Sequence, residues 1–171
     1  MSDDDLFDSE AYCAILVRGL TPHEALGRLG AEVFDGEPDD EDVEDDLALI
    51  MALPAEGGTV LYESNGYAGS VDEIMRPLSA GTVTASVFVN VNRVASFDHY
   101  ADGREVLSFD PLFPLDGDDA PPHFLADRAE LHLVEGDSKG GMPAALELAE
   151  RVTGVSLNAS SEVVAHIAID Y

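Results

Sequence analysis

The stretch Thr82-Val83-Thr84-Ala85-Ser86-Val87-Phe88-Val89-Asn90-Val91 decides the fold. In an extended chain Val83, Ala85, Val87, Val89 and Val91 fall on one face and Thr84, Ser86, Phe88 and Asn90 on the other, the period of two that marks a half-buried strand. Downstream, residues 96–101 and 104–109 flank Asp102-Gly103, a pair that favours the positive φ angles of a type I′ hairpin. Upstream, Gly57-Gly58 introduces Thr59-Val60-Leu61-Tyr62-Glu63, rich in the β-branched and aromatic residues of strands. The middle of the chain is therefore an antiparallel meander.

Helical signals surround it. Thr21-Pro22-His23-Glu24 supplies an N-cap hydroxyl, proline at the first helical position and glutamate three residues after the cap, a capping box. Ala25, Leu26 and Leu29 make its apolar stripe and Gly30 its end. The apolar run 12–20 predicts a short buried helix stopped at Gly19. Ser70 predicts a cap for a helix over 71–78, with Asp72 and Glu73 where the helix dipole favours them. Helical patterns return at 124–133 and 142–152, the latter stopped by Gly154. Residues 47–53 read as a strand or a helical turn closed by Pro54, and 163–169 as either helix or strand. Together these predict an α+β fold: a central antiparallel sheet with short N-terminal and C-terminal helices packed on it. The expectation is a single domain over 1–171 with a flexible acidic N-terminus (1–10), an acidic loop (35–46) and a Pro/Asp-rich loop (110–123).

The charge excludes whole classes of partner. Eight Lys and Arg face 35 Asp and Glu, a formal net charge of −27, while 46% of residues are hydrophobic, enough to build a core. Nucleic-acid and anionic-membrane binding rest on Lys and Arg contacts to phosphate, so neither is expected. The acidic start Met1-Ser2-Asp3-Asp4-Asp5 is the reverse of a signal peptide, and no apolar stretch is long enough to span a bilayer, so a cytoplasmic location is expected. Residues 35–46 hold nine carboxylates and no cation. They read as a solubilising loop, as a phosphate mimic facing a basic partner through Asp39, Asp40, Glu41 and Asp42, or as a calcium loop whose glycine stands in the wrong place.

Catalytic patterns are missing. The sequence has no nucleophile elbow, no phosphate-binding glycine loop, no dinucleotide fingerprint and no paired-histidine zinc motif. The lone Cys13 sits among apolar neighbours and reads as a buried, inert thiol. No metal and no cofactor are expected. What does gather chemistry is the pair of strand ends: Glu63, Asn65 and Tyr67 on one, Asn90, Asn92 and Arg93 on the other, where loops carry binding groups on a rigid sheet. The competing reading is that these asparagines serve left-handed turns.

The segments 12–30, Glu63-Ser64-Asn65-Gly66-Tyr67-Ala68-Gly69-Ser70, 78–81, 87–92, Leu107-Ser108-Phe109-Asp110-Pro111-Leu112-Phe113-Pro114 and 149–155 resemble a family of uncharacterised proteins abundant in actinobacteria such as Streptomyces. That resemblance implies an actinobacterial source, whose GC-rich coding would explain a chain with one lysine, Lys139. It carries over no catalytic or binding residue. Residues 115–123 depart from the aromatic-rich stretch of the family.

Three functions follow as expectations. The leading one is a non-enzymatic acidic module that binds a basic protein, as an immunity or inhibitor protein does. The alternatives are a small-molecule-binding or enzymatic domain around the strand-end residues, and a DNA mimic.

Overall fold

The computed structural model describes residues 6–7, 9–39, 46–114, 122–137, 139–157 and 162–171. Within them eight strands form one sheet: β1 (Tyr12–Arg18), β2 (Phe34–Asp35), β3 (Ala48–Ala55), β4 (Gly58–Ser64), β5 (Val83–Val89), β6 (Ala95–Ala101), β7 (Arg104–Phe109) and β8 (Ala165–Ile169). Their order is β2-β8-β3-β4-β1-β5-β6-β7, every neighbouring pair antiparallel. The α+β class with a central antiparallel sheet is thus what the chain adopts.

The helices are α1 (Pro22–Gly27), α2 (Asp72–Ser79), α3 (Pro122–Glu130) and α4 (Gly141–Thr153). Ala25 and Leu26 of α1 and Ile74, Met75 and Leu78 of α2 pack with Cys13, Ile15 and Val17 on one face. Phe124 of α3 and Ala145, Leu148 and Ala149 of α4 pack with Tyr12, Ala14 and Leu16 on the other. Helices lie on both faces, and the element that ends the fold is a strand, β8, inserted between β2 and β3.

Residues 12–18 correct the helix expected there. They form β1, in the middle of the sheet, with Tyr12 to Val17 all buried. A strand covered on both faces reads as an unbroken apolar run, which periodicity cannot distinguish from a buried helix segment. The covering helices also correct the half-buried reading of β5: Thr84 and Ser86 are fully buried. They fit there because they are small and bonded, the Ser86 hydroxyl donating to the Gly69 carbonyl at 2.6 Å.

Other boundaries moved for local reasons. Thr21 caps α1 by accepting from the Glu24 N–H, but the helix ends at Gly27 and a further turn carries the chain to Gly30. Helix α2 is capped by Val71 rather than Ser70, whose hydroxyl donates back to the Tyr67 carbonyl. Strand β3 runs through Pro54 because its ladder with β8 has already ended at Ala52↔Ala165, so no β8 bond is lost. Asp102 and Gly103 adopt φ of 48° and 76°, the hairpin geometry the sequence predicts. Gly154 stops α4 in the left-handed conformation. At the N-terminus, Leu6 is buried and its carbonyl accepts from the Tyr62 hydroxyl at 2.7 Å.

Candidate functional site

The ladder between β3 and β4 ends at Met51↔Tyr62, yet β4 continues to Ser64 while β3 begins at Ala48 and pairs there with β8. The two strands part, and a cleft of about 350 Å³ opens between them, lined by Leu47, Leu49, Met51, Glu63, Asn65 and Tyr171 among others. Glu63 is 4% exposed at its base. The Tyr171 hydroxyl lies 2.5 and 2.8 Å from its two carboxylate oxygens and accepts from the Tyr67 N–H at 3.2 Å. The Ala68 N–H donates to Glu63 Oε1 at 3.4 Å. Burial pushes the Glu63 carboxyl above its ordinary range, and these hydrogen bonds oppose the shift. Burial and the Glu63 hydrogen bond raise the Tyr171 phenol in turn.

Beside Glu63 in register lies Cys13. Burial pushes its thiol up to about 12; an N–H from Gly69 opposes this, while Glu63 and Asp98 add to it. A thiol held protonated and out of solvent is no nucleophile at neutral pH. The inert reading of Cys13 therefore has a physical cause in its surroundings.

Asn90 and Arg93 stand elsewhere. They line a second cleft of about 320 Å³ with Phe7, Tyr12, Val89 and Met142 among others. Tyr12 and Val89 belong to the core under α3 and α4, whereas Cys13, the register partner of Glu63, belongs to the core under α1 and α2. The six strand-end candidates thus lie at one end of the sheet, but Glu63, Asn65 and Tyr67 line one cleft, Asn90 and Arg93 the other, and Asn92 neither. Asn65 and Arg93 hold φ of 55° and 62°, and Asn65 donates its N–H to the Ala11 carbonyl. The Asn90 side-chain oxygen accepts from the N–H groups of Asn92 and Val94, holding the β5–β6 turn. Asn92 is exposed on that turn. Tyr67, half exposed, meets Phe88 and Tyr171 edge-on at 6.4 and 5.1 Å.

A third cleft, about 370 Å³, lies along the two-residue strand β2 and is lined by Phe34, Asp35, Glu37, Asp39, Leu49 and His166 among others. Phe34 is 44% exposed and stacks on the His166 ring, centroids 5.4 Å apart and planes 21° from parallel. His166 Nδ1 lies 2.8 Å from the Gly36 carbonyl, which can only accept, so that nitrogen carries the proton of the bond. Asp35, Glu37 and Asp39 are exposed around the ring, and His23 reaches Asp35 at 2.7 Å. Asp40, Glu41 and Asp42 lie outside the described residues.

Sequence reasoning missed Tyr171, Tyr12 and Phe34. Tyr12 lies in the apolar run 12–20, whose pattern predicts a helix, and Phe34 directly precedes the acidic block with no local signal of its own. Nothing local marks Tyr171, whose partner is 108 positions away. Among the described residues no cluster of three or more His, Cys, Asp and Glu is placed to hold a metal ion, and no helix is long and apolar enough to cross a membrane.

Over residues 3–166 the sequence matches the model of DUF6461, described as a family of unknown function. No curated protein and no solved structure matches the chain.

Proposed function

We propose that this chain, which belongs to the DUF6461 family, is a non-enzymatic binding module that docks a basic protein on its β2 edge. One observation carries the reading: Phe34, exposed and braced from behind by His166, is set among the exposed carboxylates of Asp35, Glu37 and Asp39. An aromatic anchor ringed by charge is the composition of an interface hot spot. The ring face suits an Arg or Lys of the partner, whose charge the flanking carboxylates also attract. A net charge of −27 steers a basic protein toward this surface and turns phosphate-bearing partners away. An immunity or inhibitor role is the finer form of the same reading, with a cytoplasmic setting and an actinobacterial source proposed alongside it.

The test is a tagged pull-down from the native cytosol at low and moderate salt. It compares the wild type with Phe34→Ala and with Asp35→Asn/Glu37→Gln/Asp39→Asn. The expected result is one stoichiometric basic protein, lost as salt rises and lost in both variants. An empty wild-type capture, or capture indifferent to both variants, rejects the reading. If duplex DNA displaces the captured protein, the module acts as a DNA mimic.

A further inference from the structure

Tyr12 and Tyr62 stack with centroids 6.2 Å apart, yet their hydroxyls fare differently. Tyr62 donates to the Leu6 carbonyl, while the Tyr12 hydroxyl finds no hydrogen-bond partner among the described residues although Tyr12 is only 1% exposed. A buried hydroxyl without a partner is rare in native proteins and calls for an explanation. Tyr12 is among the residues that line the second cleft.

Two further donors meet in the same cleft. Arg93 is exposed and lines the cleft, and among the described residues no carboxylate is paired with it. The turn geometry fixes this placement, since Arg93 sits in the left-handed conformation and donates its N–H to the Asn90 carbonyl. The Asn90 side-chain oxygen is already occupied by two N–H groups, so its amide NH₂ is the end left to donate. The cleft takes the apolar part of its lining from Phe7, Val89, Val91 and Met142. Its volume is at the lower end of the roughly 300–1,000 Å³ typical of ligand pockets.

We propose that this cleft is a binding site for a small monocarboxylate with an apolar body. The carboxylate would accept from Tyr12, Asn90 and Arg93, and the body would lie on Phe7, Val89 and Met142. Glu10, also in the lining, opposes every anion and a phosphate dianion more strongly than a monocarboxylate, so the donors must outweigh it. The site is independent of the β2 edge, and neither reading needs the other.

The experiment titrates ¹⁵N-labelled full-length protein with hexanoate and with 3-phenylpropionate, following the amide signals of residues 89–94. The controls are 3-phenylpropan-1-ol and inorganic phosphate. Expected are saturating shifts with at least one acid and binding at least about tenfold weaker for the alcohol, as loss of a charge-assisted hydrogen-bond set implies. Tyr12→Phe removes only the hydroxyl, and Arg93→Asn keeps a residue that tolerates the left-handed turn. Both should retain the dispersed spectrum and lose affinity by about tenfold or more. Absence of saturation with both acids overturns the proposal, as does alcohol binding equal to acid binding, preference for phosphate, or unchanged affinity in the two variants.

Discussion

The Tyr171 hydroxyl bridges both carboxylate oxygens of Glu63 across 108 positions of chain. Tyr171 follows β8 and Glu63 belongs to β4, and β3 lies between those strands in the sheet. The bond therefore spans the place where β3 and β4 part, holding the two sides of that opening together.

Glu63 makes stability depend on pH with a definite sign. Its folded pKa lies above its ordinary value, about 4.3. Between those two values the folded chain keeps a proton that the unfolded chain has released, so stability falls as pH rises through the window. Asp98, buried and bonded to the hydroxyls of Ser96 and Ser108, is shifted the same way by burial. Asp72 and Asp137 are shifted down by their hydrogen bonds, to Arg76 and to the Lys139 N–H first, so their contributions are lost only in stronger acid. The melting temperature should be higher at pH 5 than at pH 7.5, and Glu63→Gln/Asp98→Asn should flatten the difference. Calorimetry across that range checks it; a wild-type melting temperature that climbs toward pH 7.5 contradicts it.

Cys13 should resist modification. With its thiol raised to about 12 and buried, labelling by a disulfide reagent at pH 8 should be on the order of a hundredfold slower than for a free thiol. Denaturant should restore the ordinary rate. Fast labelling of the native protein would contradict the geometry around Gly69.

Gly66 leaves room for the Glu63 carboxylate: a Cβ there would fall 1.3 Å from Glu63 Oε1. Gly66→Ala should cost about 2 kcal/mol or more in urea unfolding, the scale of overpacking a buried site. Gly27 closes α1 with nothing within 4 Å of its Cβ position, so Gly27→Ala should be neutral or stabilising by up to about 0.5 kcal/mol.

In the ligand-free protein, Tyr12→Phe should raise the free energy of unfolding by about 1 kcal/mol, because it removes a buried hydroxyl that has no partner among the described residues. Urea titration measures it. A loss of that size instead would show that the hydroxyl is bonded in solution.

Salt should stabilise the free protein. Repulsion among 35 carboxylates is screened beyond about 10 Å at 0.1 M ionic strength, so the melting temperature should climb from low to moderate salt. A flat response means that this repulsion carries little energy in the fold.

What was legible in the sequence was local chemistry. The Asp102-Gly103 turn, the Thr21 cap and the Gly154 stop depend on backbone preferences of a few adjacent residues, and the structure follows them. Strand β5 was legible by its alternation, but not the burial of Thr84 and Ser86, which depends on the turn Ala68–Ser70 and on α2 packing over them. Strand β1 was misread because its apolar run records burial on both sides and not the conformation. The candidate site was legible as a set of strand-end residues. Its division into two clefts depends on which face of the sheet each side chain takes, and that needs the strand pairing.

The place of β8 between β2 and β3 also governs how the molecule is made. The Gly36 carbonyl and its partner His166 are 130 positions apart, and the pairs Phe34↔His166 and Ile50↔Ile167 are of similar span. During synthesis β2 and β3 emerge long before the strand that separates them, and the groove between them stays open until the chain has been extended past Ile169. High contact order of this kind slows the final closing step. A nascent chain with two unpaired strand borders is also a target for chaperones and for aggregation. The dense negative charge at the β2 border would hold such unfinished chains apart until β8 arrives.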